Sequence, residues 1–316
     1  MPQQHAKVVI IGSGPAGYTA AIYAARAMLE PIVITGYQAG GQLMITTDIE
    51  NYPGFAEPVN GPWLMEQMRL QAEKAGARMV DDQVAEIDLK HSPFTLKCDS
   101  GISFTSDTVI IATGAQARWL GLPAEEQYRG RGVSACATCD GFFFRDRKVV
   151  VVGGGNAAVE DALYLANIAS HVTLVHRRDG LRAEKVLQER LLAHPKISII
   201  WNSVIDDILG SGEPALVSQV QLRNVQTGSK DVIETDGVFI AIGHKPATEL
   251  FTGQLDMKKD GYLVTEAGRS RTNIPGVFAA GDVADDMYRQ AVTAAGMGCM
   301  AALEAEHYLL ELGLLS

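Results

Sequence analysis

The sequence predicts an α/β chain of two domains, each built on a parallel sheet, and three observations predict it. The apolar run Lys7-Val-Val-Ile-Ile stops at a glycine turn, Gly12-Ser13-Gly14-Pro15-Ala16-Gly17, from which an alanine-rich helix extends to about Arg26. The same design returns at Lys148-Val-Val-Val-Val-Gly153-Gly-Gly155-Asn156-Ala157-Ala158, 141 positions further on at every matched residue, and opens a helix through Leu165. Each copy is then followed by a second apolar strand at a matching distance, 31–36 and 171–176, and by a later one that ends in glycine, 109–114 and 238–243.

Length and composition fit that plan. With 316 residues, 47% of them apolar and 20% charged, the chain can bury two cores. A net charge of −10 and a pI near 5.2 argue against nucleic acid or an anionic membrane as a general partner, because phosphate surfaces repel the average face; a local basic patch stays open. The apolar runs fall far short of the ~20 residues that cross a bilayer, and no signal peptide is read at the start. Four cysteines are too few for a secreted disulfide framework, so a reducing, cytoplasmic setting is expected.

The glycines carry the chemistry. In such a turn the first allows the tight reversal, the second lets a pyrophosphate approach the backbone, and the third position must be small for the helix to pack on the strand. The helix start supplies free N–H groups and the positive end of its dipole. One such turn is weak evidence, and glycine turns without a nucleotide are the alternative. Two in one register read as two Rossmann-like dinucleotide-binding domains.

In the second unit the residues facing the adenosine ribose are His176-Arg177-Arg178, with Arg182 one turn on, which favour a 2′-phosphate and hence NADPH; the plain alternative is a solvated helix start. Gly153, Gly155, Asn156 and Ala157 in the turn and Ile242-Gly243 after the later strand complete that candidate site. The matching place in the first unit, Thr35-Gly36, lacks the usual carboxylate. Support for FAD there comes from Gly281-Asp282, an acid at a strand end able to accept hydrogen bonds from a ribityl chain, and from Arg289-Gln290-Ala291, which opens a helix running on through Ala301. An ordinary capped helix is the alternative reading of that last segment.

Between the two turns lies Cys136-Ala-Thr-Cys139-Asp140. Cysteines three apart share one side of a helical turn and can bridge, and the first can have its thiolate stabilised by the helix start. Half a zinc site is the competing reading. Cys98 and Cys299 are isolated, no histidine pair has ligand spacing, and no metal is called for. The two isolated cysteines are expected as buried fillers. Asp140 is a candidate proton donor to the thiols, or else a cap or a solvated carboxylate.

The segments GSGPAG, CATCD, HRRDGLRA, GHKP, AAGD and YRQA, in this order and spread over essentially the whole chain, closely resemble the low-molecular-weight thioredoxin reductases of bacteria. The resemblance implies that Cys139 faces the flavin while Cys136 attacks thioredoxin, with Asp140 as the acid. It implies that Thr35, Gly41, Gln42 and Asn51 help hold FAD with the glycine turn, that Gly281, Asp282 and Arg289 are flavin contacts, and that the working form is a homodimer. An FAD domain made of 1–116 and 247–316 follows, with an NADPH domain, 117–246, inserted into it and carrying the redox pair. Disulfide and nicotinamide then share one domain while the flavin belongs to the other, so a rotation about connections near Ala117 and Pro246 is expected.

Arg129, Arg131 and Phe142 to Phe144 are candidate anchors for thioredoxin, with core packing or a solvated loop as the alternatives. A flavin reductase of similar architecture acting on other disulfides is the second enzymatic reading. A nucleotide sensor without turnover would have no need of Cys136, Cys139 and Asp140 together.

Overall fold

In the computed structural model, which describes residues 4–46 and 48–315, the first apolar run forms β1 (Gln4–Ile11). Val8 and Ile10 are buried in one hydrophobic cluster and Val9 and Ile11 in another, so both faces of this strand are covered. That is why it reads as a continuous apolar run and not as an alternation. The chain continues through α1 (Pro15–Arg26), β2 (Ile32–Ile34), α2 (Gly61–Ala75), β3 (Arg78–Val80), β4 (Val84–Asp88), β5 (Phe94–Cys98) and β6 (Ser103–Ile111). The strands form one sheet in the order β3-β2-β1-β6-β5-β4, parallel from β3 to β6 and antiparallel beyond.

The chain then enters a second unit, Ala117–His244, leaving Met1–Gln116 to be completed by Lys245–Ser316. Its two links, Ala115–Ala117 and His244–Pro246, pair as a two-stranded ladder. The second unit contains α3 (Pro123–Tyr128), β7 (Val133–Ser134), α4 (Ala137–Asp140), β8 (Lys148–Gly153), α5 (Asn156–Ala166), β9 (His171–Val175), α6 (Lys185–Leu192) and β10 (Ile197–Ile200). After these come β11 (Ser203–Ser211), β12 (Leu216–Asn224), β13 (Lys230–Glu234) and β14 (Gly237–Ala241). A five-stranded parallel sheet runs β7-β14-β8-β9-β10, and β11-β12-β13 form an antiparallel meander. Val149 and Val151 of β8 pack under α5, whereas Val150 and Val152 pack with Ile205, Ile208, Val217, Val220 and Leu222 of the meander.

On its return the chain adds β15 (Val277–Ala279), parallel to the C-terminal half of β6, and α7 (Ala291–Glu311). The two halves of β6 therefore have different partners: Ser103–Ser106 pair with β5 and Val109–Ile111 with β15. Helix α7 runs well past Ala301, the end expected from sequence. Ala301, Ala302, Ala305 and Leu309 continue its buried stripe, and Glu304 is neutralised by the Ser270 amide and hydroxyl and by Arg269.

Within the first unit α1 and α7 cross at very close range. A Cβ on Gly298 would lie 2.1 Å from the Ala16 carbonyl oxygen, whereas one on Gly296, two residues earlier, would meet nothing within 4 Å. Gly298→Ala is therefore expected to destabilise the fold by about 1–3 kcal/mol through overpacking. Gly296→Ala, by contrast, should gain about 0.5–1 kcal/mol from helix propensity alone. Urea unfolding of the two variants checks both signs.

Candidate functional site

In the first unit the turn is held by contacts that require glycine at two of its positions. Gly12 has φ +107°, and a Cβ there would lie 2.2 Å from the Ala112 carbonyl oxygen; one on Gly17 would lie 2.0 Å from the Gly12 carbonyl oxygen. Gly14 differs. Its backbone is extended (φ −71°, ψ −174°), a conformation open to any residue, and a Cβ there would meet nothing within 4 Å. The second unit repeats the pattern. Gly153 is hemmed by the Ala241 carbonyl and Ala158, while Gly155 (φ −92°, ψ −174°) faces open space. In each unit the middle glycine thus leaves its helix start bare to something outside the protein, which is the fit a pyrophosphate requires.

Around the first turn the structure gathers several of the sequence candidates. Ser13 Oγ donates to the Thr35 carbonyl at 2.7 Å and accepts the Gly40 N–H at 3.1 Å. Thr35 is buried, with Gly36, Val80 and Asp81 oxygens within 3.3 Å of its hydroxyl. Gly41 comes against Gly14, and Asn51 Nδ2 donates to Gln290 Oε1 at 3.3 Å. A Cβ on Gly281 would touch Ala16 and Ala294, which sets the end of β15 beside the first turn and the start of α7. Gln42 lies exposed in the short 3-10 segment Gly41–Ile45.

Asp282 follows Gly281, and burial, with the neighbouring Asp285 charge, pushes its carboxyl up to about 7 against the opposing pull of Arg289. Asp285 accepts the N–H groups of Met287, Tyr288 and Arg289 and so fixes the approach to α7. Gln290 caps that helix reciprocally with Thr293, and Ala291 is its first residue.

The second turn treats its candidates unequally. Arg177, Arg178 and Arg182 are exposed, and none is in an ion pair among the described residues. His176 is buried at 5% exposure, its Nδ1 2.8 Å from the Gly153 carbonyl oxygen and its Nε2 3.1 Å from that of Gly180. Asn156 is occupied as well, accepting the Glu184 N–H at 2.9 Å and donating to the Glu184 carboxylate. Ala157 lies in the first turn of α5, and Ile242-Gly243 follow β14, with Gly243 at φ +97°.

Cys136 and Cys139 are joined in a disulfide with Cα atoms 5.3 Å apart, on the one-turn helix α4. The bond between the two sulfurs takes the valences that a zinc half-site would use. Ala137, between them, is 1% exposed and belongs to the core of the unit, which anchors the pair. Burial raises the Asp140 carboxyl above the ordinary aspartate range, opposed by a hydrogen bond with Ser134. That serine, missed from the sequence, also accepts the Cys136 N–H at 3.0 Å, so one buried hydroxyl touches both the redox turn and its neighbouring acid. Nothing in Val133-Ser134 marks it in the sequence.

Some of the remaining expectations hold and others are corrected. Cys98 is buried, and burial with the Asp82 charge pushes its thiol up to about 11, but Cys299 is only half-buried and sits beside Tyr23. Phe144 packs on Phe239, ring centres 5.2 Å apart, whereas Phe142 and Phe143 are 54% and 44% exposed. Arg129 is no solvated loop residue: its guanidinium stacks on Trp119, 4.1 Å from the ring centre, while Arg131 is exposed. No helix among the described residues is long and apolar enough to cross a membrane.

Comparison with known proteins gives the context for this geometry. Residues 6–298 match the model of the pyridine nucleotide-disulphide oxidoreductase family. A thioredoxin reductase of Rickettsia conorii is 60% identical over 303 residues, covering 96% of this chain and 98% of its own. Among solved structures, a thioredoxin reductase from Giardia duodenalis superposes with TM-score 0.94 at 42% identity over 98% of this chain and 100% of its own. The Lactococcus lactis thioredoxin reductase described as the FR conformation has 41% identity over 97% and 99% but a TM-score of only 0.64.

Because the Asp282 carboxyl sits near 7 when folded against an ordinary 3.8, the folded chain keeps a proton there that the unfolded chain has already released. The group's contribution to stability is therefore full at pH below about 4 and is lost as pH rises toward 7. Asp282→Asn, neutral at every pH, is expected to raise the thermal midpoint of nucleotide-free protein at pH 8 by several kelvin and to lose that advantage at pH 4. Equal midpoint differences at the two pH values would contradict the burial argument.

Proposed function

The chain belongs to the pyridine nucleotide-disulphide oxidoreductase family, among its low-molecular-weight thioredoxin reductases, and from that membership we propose that it reduces the disulfide of thioredoxin with NADPH, through FAD and its own Cys136–Cys139 pair. The observation that carries the reading is the disulfide itself, held on a core-anchored turn next to a half-buried acid and in the same unit as a glycine turn with three arginines that form no ion pair among the described residues.

FAD is the proposed occupant of the first unit, held by Gly12 to Gly17 at the pyrophosphate, by Thr35, Gly36, Gly41, Gln42 and Asn51 around it, and by Gly281, Asp282, Arg289, Gln290 and Ala291 toward the flavin. When bound, it supplies a two-electron carrier between a nicotinamide and a disulfide. Asp282 is suited to hold the ribityl hydroxyls, because burial and the Asp285 charge leave its carboxyl in need of hydrogen-bond donors. Supporting NADPH in the second unit are Gly153, Gly155, Asn156 and Ala157, with Ile242-Gly243 beyond them and Arg177, Arg178 and Arg182 free to take a 2′-phosphate. Each charge-assisted contact is worth about 1.5–3 kcal/mol, enough for one arginine to favour NADPH over NADH by about tenfold.

At the disulfide, two electrons and two protons convert the S–S bond into two thiols. The Cys136 thiolate then attacks the disulfide of thioredoxin, forming a mixed disulfide and expelling one of its thiolates. Attack by Cys139 on Cys136 restores the internal bond and releases the second, so that thioredoxin leaves as the dithiol. Asp140, its proton affinity raised by burial, supplies and recovers a proton beside these sulfurs, and Ser134 orients it.

Nicotinamide and disulfide lie in one unit and must take turns at a flavin in the other, so we propose a rotation about the links near Ala117 and Pro246. Relatives of near-equal identity that superpose at TM-scores 0.94 and 0.64 support a family in which the units take more than one arrangement. Phe142, Phe143 and Arg131 are proposed to dock thioredoxin, and the working form to be a homodimer, as the family resemblance implies, in the reducing, cytoplasmic setting expected from the few cysteines.

Turnover of a dithiol-reactive dye is expected to require NADPH, thioredoxin and Cys136 together, and Cys136→Ser to abolish it while the flavin still bleaches with NADPH. Thioredoxin-independent turnover would shift the substrate to other disulfides. Phe142→Ala should raise KM for thioredoxin and leave the rate of flavin reduction unchanged in stopped flow.

A further inference from the structure

The 141-residue repeat pairs position 13 with 154 and position 35 with 176. In the first unit the turn residue reaches outward: Ser13 Oγ donates to the carbonyl of Thr35, at the end of the second strand. In the second unit the direction is reversed. Position 154 is glycine, and a Cβ there would lie 2.2 Å from Cε1 of His176, whose ring reaches back over the turn to the Gly153 carbonyl. The Gly154 backbone is outside the left-handed region, so the ring alone demands glycine at this place. Both units thus fasten the phosphate-binding turn to the ribose end of the site with one side chain, sent from opposite sides.

The reversed arrangement gains an additional attachment. His176 Nε2 meets the Gly180 carbonyl at 3.1 Å, and Arg182 N–H donates to the Gly154 carbonyl at 2.7 Å. The segment 177–182, which bears Arg177, Arg178 and Arg182, is stitched to the glycine turn at both ends. Three exposed arginines in six residues, with Asp179 the one acid between them and none of the three in an ion pair among the described residues, carry a net positive charge that resists being gathered, and ordering them only when a ligand arrives weakens binding.

We propose that His176 is a positioning residue for nucleotide specificity: its ring, lodged between the Gly153 and Gly180 carbonyls, presents the arginine segment, already ordered, to a 2′-phosphate. The proposal rests on the reading of the second unit as the NADPH site.

Calorimetric titration of the full chain with 2′,5′-ADP and with AMP tests it. The double variant Gly154→Ser/His176→Thr transplants the first unit's solution, so the serine hydroxyl can tie the turn to the strand end while the Gly180 attachment is lost. Its thermal midpoint should stay near that of the unsubstituted chain. Its affinity for 2′,5′-ADP should fall about three- to tenfold, with AMP binding changed less than about twofold. His176→Asn, too short to span both carbonyls, should show the same split and serves if the double variant does not fold. A wild-type ratio of the two affinities in either folded variant would reduce His176 to a purely structural role and overturn the proposal. Arg177→Ala/Arg178→Ala is the separate control. If the ratio does not move toward parity in that variant, the NADPH reading of the unit fails, and this proposal with it.

Discussion

The structure depends on how closely a helix start can approach the strand that precedes it. In the first unit the Gly12 carbonyl lies where a Cβ of Gly17 would be, and the Ala112 carbonyl where a Cβ of Gly12 would be. No other residue type permits both contacts, and neither is made with a ligand. They set the helix axis, and the axis aims the free N–H groups of the turn at the bare position left by Gly14. Through Gly281 and Gly298, each held against the same turn or the helix behind it, the C-terminal segment inherits the constraint. The first unit's candidate contacts from distant parts of the chain converge because the backbone allows a single place for them.

Much of this was legible from sequence because both faces of the parallel strands are buried, which makes Val8–Ile11 of β1 and Val149–Val152 of β8 uninterrupted apolar runs. What was not legible has specific causes. The N-terminal half of β6 is rich in serine and threonine. Ser106 and Thr108 nonetheless sit in the interior, their hydroxyls satisfied by the Thr108 and Lys7 carbonyls, a tertiary compensation that local pattern does not contain. The helix opened at Ala291 was followed only through Ala301, and beyond it Glu304 is accommodated by residues 269 and 270, a tertiary contact that local pattern does not contain. At the site, the disulfide spacing was plain, but Ser134 was not, since a lone serine before a cysteine has no pattern. The arginines at 129 and 131 look alike in sequence and differ because Trp119 lies under one of them.

The redox turn shows how few groups such a site needs. Ala137 ties it to the core, Ser134 holds the Cys136 amide, and the same hydroxyl contacts Asp140. Desolvation of that acid requires no partner of opposite charge, only the walls of the unit around it. The turn that follows carries exposed aromatic rings at 142 and 143, while Phe144 secures it to the sheet.

The order in which the chain closes its two units has a consequence for biosynthesis. The unit at 117–244 is continuous, whereas β1 and α1 wait for β15 and α7, which lie at 277–279 and 291–311. On the ribosome the inserted unit can complete its core while the N-terminal one still exposes the alanine face of α1 and the edge of β6. For the time needed to translate the last seventy or so residues, at about 5–20 residues per second, that surface must be shielded by chaperones or by its own provisional collapse. The interval is a few seconds to about fifteen, and it makes this half of the molecule the one most open to misassembly during synthesis.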